Sequence, residues 1–247
     1  MGAPKGSRGR TLFISDLHLD EARPSAVAQF ERFLADFAPG ADYLYILGDL
    51  FESWIGDDGI NLPLPARTAS RLFEASTRVP IAFMHGNRDF LVAERFAAET
   101  GVKLLVDPTV VDLYGTPTVL LHGDTLCTED QAYQRFRAQV RDPAWQAVAL
   151  ARPLAERVAI AQTMRTDSEG AKQGKSMEIM DVSPAAVDEA FATSGCAVMI
   201  HGHTHRPGRH AHVVNGRECV RWVLSDWYSG CGYLEASPEG IRAVDGF

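Results

Sequence analysis

Five short stretches of this chain gather groups able to bind a metal: Asp16-Leu17-His18, Gly48-Asp49, Gly86-Asn87-Arg88-Asp89, Leu121-His122-Gly123-Asp124 and Ile200-His201-Gly202-His203-Thr204-His205. Imidazole, carboxylate and amide ligands suit first-row divalent cations. Asp16 and His18 stand two residues apart, as do His203 and His205, so on a continuing strand each pair would point to one face. Asp49 is a natural bridging carboxylate, with one oxygen for each of two ions. Asn87 adds an amide oxygen and His122 an imidazole. With Asp49 shared, these seven groups give each ion four protein ligands and keep positions for water and substrate. An isolated Asp-x-His, or a lone Gly-Asn-Arg-Asp turn with a capping aspartate, is more often structural. Five such stretches in order, each at a strand end, are not explained that way. His201, between the strand and the ligand pair, and His210 and His212, which lack supporting carboxylates, are read as structural, and His85 as a neighbour of the site within reach of substrate.

The elements that must position these groups are legible in the apolar pattern. Thr11–Ser15, Tyr43–Leu47, Pro80–Met84, Thr118–Leu121 and Ala197–Ile200 read as strands, each running into one of the five stretches. Pro24 opens a helix whose Val27, Phe30, Phe33, Leu34 and Phe37 follow a helical period. Further helices are expected near Ala66–Thr77 and Phe90–Thr100, the latter stopped by Gly101. Lys103–Val106, Val110–Leu113, Val213–Val214, Val220–Leu224 and Gly232–Glu235 read as more strands. Between His122 and the last cluster lies a helical insertion: Glu129–Val140, a helix from Pro143, a segment from Pro153 to about Met164, and Ser183-Pro184 capping a helix through Phe191. Such alternation argues for a layered α/β fold with its functional groups at strand C-termini.

Composition sets the outer limits. The chain has 247 residues, 46% hydrophobic and 23% charged, enough for one substantial core. Its net charge of −8 argues against a general nucleic-acid binder. The charge is uneven: from Gln131 to Met180, eight Lys/Arg face five Asp/Glu, a local excess of +3 that leaves −11 elsewhere. That basic insertion suits an anionic substrate or surface, or a solvated helix face. Cys127, Cys196, Cys219 and Cys231 have no CxxC spacing and read as reduced thiols of a cytoplasmic protein, with Cys196 and Cys219 packed. Residues 1–10 read as a disordered extension, 11–247 as a single domain, and about 128–180 as a helical cap. No run of eighteen apolar residues spans a membrane.

The order Asp16-x-His18, Gly48-Asp49, Gly86-Asn87, His122-Gly123-Asp124, Gly202-His203-x-His205 resembles the calcineurin-like metallophosphoesterase superfamily over residues 11 to about 235. The resemblance implies a β-sandwich flanked by helices with a dinuclear centre. It also implies the ligand sets: Asp16, His18, Asp49 and His205 for one ion, Asp49, Asn87, His122 and His203 for the other. The chain departs from the common pattern at Arg88, where most members carry histidine. A guanidinium cannot serve as a general acid near neutral pH, but it can grip phosphate oxygens bidentately.

Longer strings narrow the match. Gly48-Asp49-Leu50-Phe51-Glu52-Ser53-Trp54-Ile55-Gly56-Asp57-Asp58, Gly86-Asn87-Arg88-Asp89-Phe90-Leu91, Leu121-His122-Gly123-Asp124-Thr125-Leu126-Cys127-Thr128 and Ile179-Met180-Asp181-Val182 resemble the UDP-2,3-diacylglucosamine hydrolase family of Gram-negative lipid A biosynthesis. Such a likeness implies two Mn2+ ions and hydrolysis of a pyrophosphate by a dimetal-bound hydroxide, giving UMP and 2,3-diacylglucosamine 1-phosphate. It further implies substrate contacts by Asn87, Arg88, Asp130, Ser168, Lys175 and His203. Lys172 stands where relatives carry asparagine, and a cation there could meet phosphate or sugar hydroxyls. For the two acyl chains an apolar groove is needed, and Trp145, Val148, Leu150, Leu154, Val158 and Ile160 of the cap are candidates to line it. The expected enzyme is a monomer that binds the acylated UDP-sugar and touches the anionic cytoplasmic face of the inner membrane peripherally, without nucleic acid. Two other readings stand beside it: a metallophosphoesterase for a soluble nucleotide or phosphoprotein, and a non-catalytic metal-binding scaffold.

Overall fold

A computed structural model describes residues 9–173, 181–228 and 230–247, the side chains of 165–173 excepted. Eleven strands among the described residues form two sheets stacked face to face. In the first, β11 (Gly240–Asp245), β10 (Gly232–Ser237), β1 (Thr11–Ile14), β2 (Tyr43–Ile46), β3 (Ile81–Met84) and β4 (Lys103–Leu105) lie side by side, with β1 to β4 parallel. The second runs β5 (Thr109–Leu113), β6 (Thr116–Leu120), β7 (Val198–His201), β9 (Arg217–Val223) and β8 (Gly208–Val214), parallel from β6 through β9.

The apolar runs of the central strands are continuous because both faces are buried. Leu12 and Ile14 of β1, Leu44 and Ile46 of β2, and Ile81 and Phe83 of β3 face an outer helical layer. Their alternates Phe13, Tyr45, Ala82 and Met84 face inward and meet Leu120, Ile200 and Leu224 from the other sheet. Outside the first sheet pack α1 (Pro24–Arg32), extended by a wide-turn segment to Phe37, α2 (Pro63–Ser76) and α3 (Glu94–Thr100). On the far side α7 (Pro184–Ser194) lays Val187 and Phe191 on Val119 and Met199. The result is a sandwich flanked by helices, as the family resemblance implies.

Several boundaries differ from the sequence reading for identifiable reasons. Helix α2 begins three residues earlier than expected because Pro63 supplies the fixed φ of a first helical turn. Helix α3 begins at Glu94 and not at Phe90, since the Asp57 carboxylate accepts from the N–H groups of Ala93 and Phe96 and sets the start there. Ser183 occupies the N-cap position of α7 without making a side-chain cap bond. Strand β8 is a seven-residue strand and β11 was not anticipated, both being edge strands with polar faces. Arg10 belongs to the fold: its N–H donates to Asp42 Oδ2 and its guanidinium to the carbonyls of Phe37 and Pro39.

The insertion forms α4 (Gln131–Val140), α5 (Pro143–Leu150) and α6 (Leu154–Gln173). Among the described side chains, three arginines help tie it down. Arg137 Nε donates to Asp124 Oδ2 at 2.7 Å, Arg141 Nη2 to Gly86 O at 2.8 Å, and Arg157 pairs with Asp58 and the Ile55 carbonyl. All four cysteines are buried.

Candidate metal centre and substrate cavity

Parallel strands β1, β2, β3, β6 and β7 end on one edge of the sandwich, and the seven candidate ligands converge there. Asp16, His18 and His205 form one group and Asp49, His122 and His203 another, each with ligand atoms within 4.8 Å of one another. Asp49 lies between them, Oδ2 3.7 Å from His18 Nε2 and Oδ1 3.8 Å from His122 Nε2. Asn87 Oδ1 sits 3.0 Å from His122 Nε2 and 2.9 Å from His203 Nδ1.

The Asp-x-His and His-x-His pairs do not keep the extended backbone that a shared strand face requires. Strand β1 ends at Ile14 and β7 at His201, so neither pair rides on a continuing strand. Instead Asp16, His18, Asp49, His203 and His205 all take left-handed backbone, with φ of 55°, 50°, 53°, 68° and 53°. Each such residue costs on the order of 1 kcal/mol or more and persists only where its surroundings over-determine it. Here neighbouring loops do so: Asp16 N–H donates to Gly48 O, His18 N–H to Asp49 O, and Gly202 N–H to His122 O.

Hydrogen bonds behind the ligands aim them. His122 Nδ1 donates to Leu47 O at 2.8 Å, which turns Nε2 toward the site. His205 Nδ1 faces Asp226 Oδ2 at 3.7 Å. Asp16 Oδ2 accepts from Ser15 Oγ at 2.6 Å and His203 N–H at 2.8 Å. Its Oδ1 is buried with no hydrogen-bond donor, 3.3 Å from His205 Nε2. Burial penalises charge on Asp16, yet the close contact and charge of His205, with the charges of His122 and His18, hold its carboxyl well below the ordinary range. Burial likewise opposes a charged His122, but Asp49, Asp124 and Asp16 push it up to about 9, while burial and His122 pull His203 down to about 4. A buried acidic field that raises one imidazole this far is a field that attracts cations. With a carboxylate oxygen left without a donor and borderline nitrogen and oxygen ligands around it, the site fits two divalent ions.

Close approach of loops explains three residue choices. A Cβ on Gly86 would overlap Asp49 Oδ1, and one on Gly202 would overlap Asp16 Oδ2 and Ser15 Oγ. Asp89 is fully buried and accepts from Gly86 N–H at 2.8 Å and Leu50 N–H at 2.7 Å, locking two ligand loops together. Burial and the charge of Asp49 push its carboxyl up to about 6. Arg88 donates its backbone N–H to Asp49 Oδ1 at 2.8 Å and extends its guanidinium into a cavity.

That cavity has a volume of about 1040 Å3, at the top of the range of roughly 300–1,000 Å3 for small-molecule sites. It begins at His18, Asp49, Asn87, Arg88, His203 and His205 and runs beneath the cap. Of the six cap residues expected to line it, Trp145, Val148 and Ile160 do. Leu150, Leu154 and Val158 are not on its wall; the first two pack toward the Gly56–Gly59 turn. Phe90, Leu91, Phe136, Ala161 and Met164 complete an apolar chamber that sequence periodicity did not reveal. Asp130 lines the cavity and also caps α4, accepting from Tyr133 N–H at 3.1 Å. Lys175 and the side chains of Ser168 and Lys172 lie outside the described residues.

The histidines set aside behave accordingly. His201 is fully buried, with Nδ1 donating to Gly202 O and Nε2 accepting from Arg221. His85 Nε2 donates to Val92 O at 2.6 Å. His210 and His212 lie on edge strand β8. Glu52 and Tyr228 were not singled out from sequence, although Glu52 follows Asp49 by three residues and both pack on His18.

Comparison with known proteins gives the family. Residues 9–207 match the family model of the calcineurin-like phosphoesterases. The chain is 52% identical to a UDP-2,3-diacylglucosamine hydrolase of Xanthomonas campestris pv. campestris, an alignment covering 94% of this chain and 96% of the relative. It is 50% identical to the enzyme so named from Stenotrophomonas maltophilia (strain K279a), over 93% of this chain and 96% of that one. The chain is therefore a member of the calcineurin-like phosphoesterases and, within them, of the UDP-2,3-diacylglucosamine hydrolase family.

Proposed function

We propose that this chain hydrolyses the pyrophosphate of UDP-2,3-diacylglucosamine to UMP and 2,3-diacylglucosamine 1-phosphate. One observation carries the reading beyond family membership: a single cavity joins the metal-ligand cluster to an apolar chamber under the cap. A soluble nucleotide or phosphoprotein would have no use for a wall of Phe90, Phe136, Trp145 and Met164 beside the phosphates. Acyl chains would, since each buried methylene contributes about 0.8 kcal/mol.

Asp16, His18, Asp49 and His205 would hold one divalent cation, and Asp49, Asn87, His122 and His203 the other, with manganese the proposed metal. Bound there, two cations neutralise phosphate charge and lower the pKa of water enough to supply a nucleophile near neutral pH. The water oxygen bonds to the α-phosphorus while the bond to the bridging oxygen breaks, so the sugar phosphate departs with that oxygen. Arg88 reaches the phosphate oxygens from the cavity wall and offsets the charge that develops on them. His203, with Nδ1 against Asn87, stands beside Asn87 on the same side. A phosphate leaving group is stable as an anion and needs little protonation, which is consistent with arginine where other members place histidine. Asp130, Ser168, Lys172 and Lys175 are proposed to bind the remaining polar parts of the substrate.

The arrangement proposed is a monomer with one domain over 11–247 and a cap over about 128–180, touching the anionic inner-membrane surface from the cytoplasmic side. No helix among the described residues is long and apolar enough to cross a membrane. Hydrolysis of the acylated UDP-sugar in 18O-labelled water, with and without Mn2+, tests the reading. Label in UMP and dependence on manganese are expected. Hydrolysis of water-soluble esters alone, or label in the sugar phosphate, would overturn it.

A further inference from the structure

We propose that Glu52 is a positioning residue whose buried carboxylate, facing both His18 Nδ1 and the Arg88 guanidinium, aims His18 Nε2 at its cation. Glu52 is placed for this by backbone pairing. Its N–H donates to Leu19 O at 3.1 Å, and Phe51 bridges Leu19, so the loop after β2 lies along the loop that carries His18. Glu52 Oε2 stands 3.1 Å from His18 Nδ1, a close polar contact set off the line of an ideal hydrogen bond. The same oxygen accepts from the Tyr228 hydroxyl at 3.0 Å, and Oε1 is 3.9 Å from Arg88 Nη1.

Tyr228 closes the box around His18. Its ring centroid lies 5.1 Å from the imidazole, and the Arg23 guanidinium sits over the ring 4.0 Å from its centroid while donating to the carbonyls of His18 and Trp227. An imidazole whose Nδ1–H faces a carboxylate must present the lone pair of Nε2, and the carboxylate raises its basicity as a ligand. His18 Nε2 then points toward His205 Nε2 at 3.4 Å and Asp49 Oδ2 at 3.7 Å, where the first cation would lie. Glu52 also gives Arg88 a counter-charge in the absence of substrate, so one side chain ties the cation site to the phosphate clamp. His122 and His205 have their own rear partners, Leu47 O and Asp226, which makes Glu52 specific to His18.

This inference rests on the two-cation reading above and not on the identity of the substrate. The test is titration of metal-free wild type, Glu52→Gln and Tyr228→Phe with Mn2+ by calorimetry and electron paramagnetic resonance, beside the manganese requirement for turnover. Wild type should bind two ions. Glu52→Gln should bind one as wild type does and the other about tenfold or more weakly, with kcat largely restored by excess Mn2+. Tyr228→Phe should weaken the same ion by a smaller factor. Glu52→Gln that binds both ions like wild type, or loses both together with its thermal transition, overturns the proposal. Should Glu52→Gln not fold, Tyr228→Phe decides alone: selective weakening of one ion supports the proposal, and unchanged binding overturns it. Wild type binding fewer than two ions overturns the two-cation reading and this inference with it. Two ions bound without turnover of the acylated sugar overturns only the substrate.

Discussion

At the scale of the residue, five of the candidate ligands, Asp16, His18, Asp49, His203 and His205, reach the site from left-handed backbone. Aspartate, histidine and asparagine at strand ends announce a metal centre through chemistry alone. Nothing in an Asp-x-His string tells that both residues leave the strand and turn left-handed, because that turn is imposed by hydrogen bonds from a loop seventy or more residues away in some cases, such as Gly202 N–H to His122 O. Partners such as Glu52 stay hidden for the same reason: their role is a contact across loops. Asp49 touches both ligand groups, so Asp49→Ala should abolish binding of both ions and reduce turnover by about a thousandfold or more, on the scale of removing a central charge stabiliser. Calorimetric manganese titration with a turnover assay checks this, and one surviving high-affinity ion would count against a bridging role. Gly202→Ala tests close packing in the same place. A methyl group there overlaps Asp16 Oδ2 and Ser15 Oγ, so metal affinity should fall and stability drop by about 1–3 kcal/mol. Denaturant unfolding of the metal-free protein separates the two effects.

At the scale of the element, sequence periodicity found the strands and helices but misplaced the ends that tertiary contacts set. Helix α3 shows why: Phe90 has helical company, yet the Asp57 carboxylate caps the chain at Ala93 and Phe96. The cap helices illustrate the converse. Arg137, Arg141 and Arg157 look like a solvated basic face in sequence, and the fold turns all three inward to hold Asp124, Gly86 O and Asp58. The Arg157 pair is the tether farthest from the metal site, so it is the one whose loss can loosen the cap without disturbing ligands. Arg157→Ala should speed amide exchange in α5 and the start of α6 and raise KM for the acylated substrate severalfold, with kcat within about threefold. Exchange unchanged by the substitution would remove the tether from the account. The pair also carries a pH signature. Arg157 holds the Asp58 carboxyl below its ordinary range. A depressed carboxyl stabilises fully above its unfolded value of about 4 and loses that contribution as pH falls through the lower folded value. Cap exchange, taken relative to the intrinsic rate at each pH, should therefore rise in wild type below about pH 4 and change less there in Arg157→Ala.

At the scale of the whole molecule, two features that the sequence presents separately become one. The metal stretches come from loops spread between residues 16 and 205, and the apolar chamber from the 90s and the cap, yet a single cavity of about 1040 Å3 contains both. Only the sandwich, by ending five strands at one edge, and the insertion, by arching over that edge, bring them together. Periodicity could not separate cap residues that face the chamber from those that pack the cap to the body, since both are apolar. Ile160 lies on the chamber wall and Leu154 does not, six residues apart on one helix. This gives the two residues different consequences. Ile160→Glu places a charge where an acyl chain would lie while leaving the ligand loops untouched. It should lower kcat/KM for the acylated UDP-sugar at least tenfold, since a misplaced charge costs well over the 1.4 kcal/mol that a factor of ten represents. Hydrolysis of a small aryl phosphodiester, which has no acyl chain to place in the chamber, should change less than about twofold, because discrimination is set by the contacts that differ between the two substrates. Equal losses on both substrates would mean that the chamber shapes the metal centre and does not bind acyl chains; no loss on either would mean that the chains lie elsewhere.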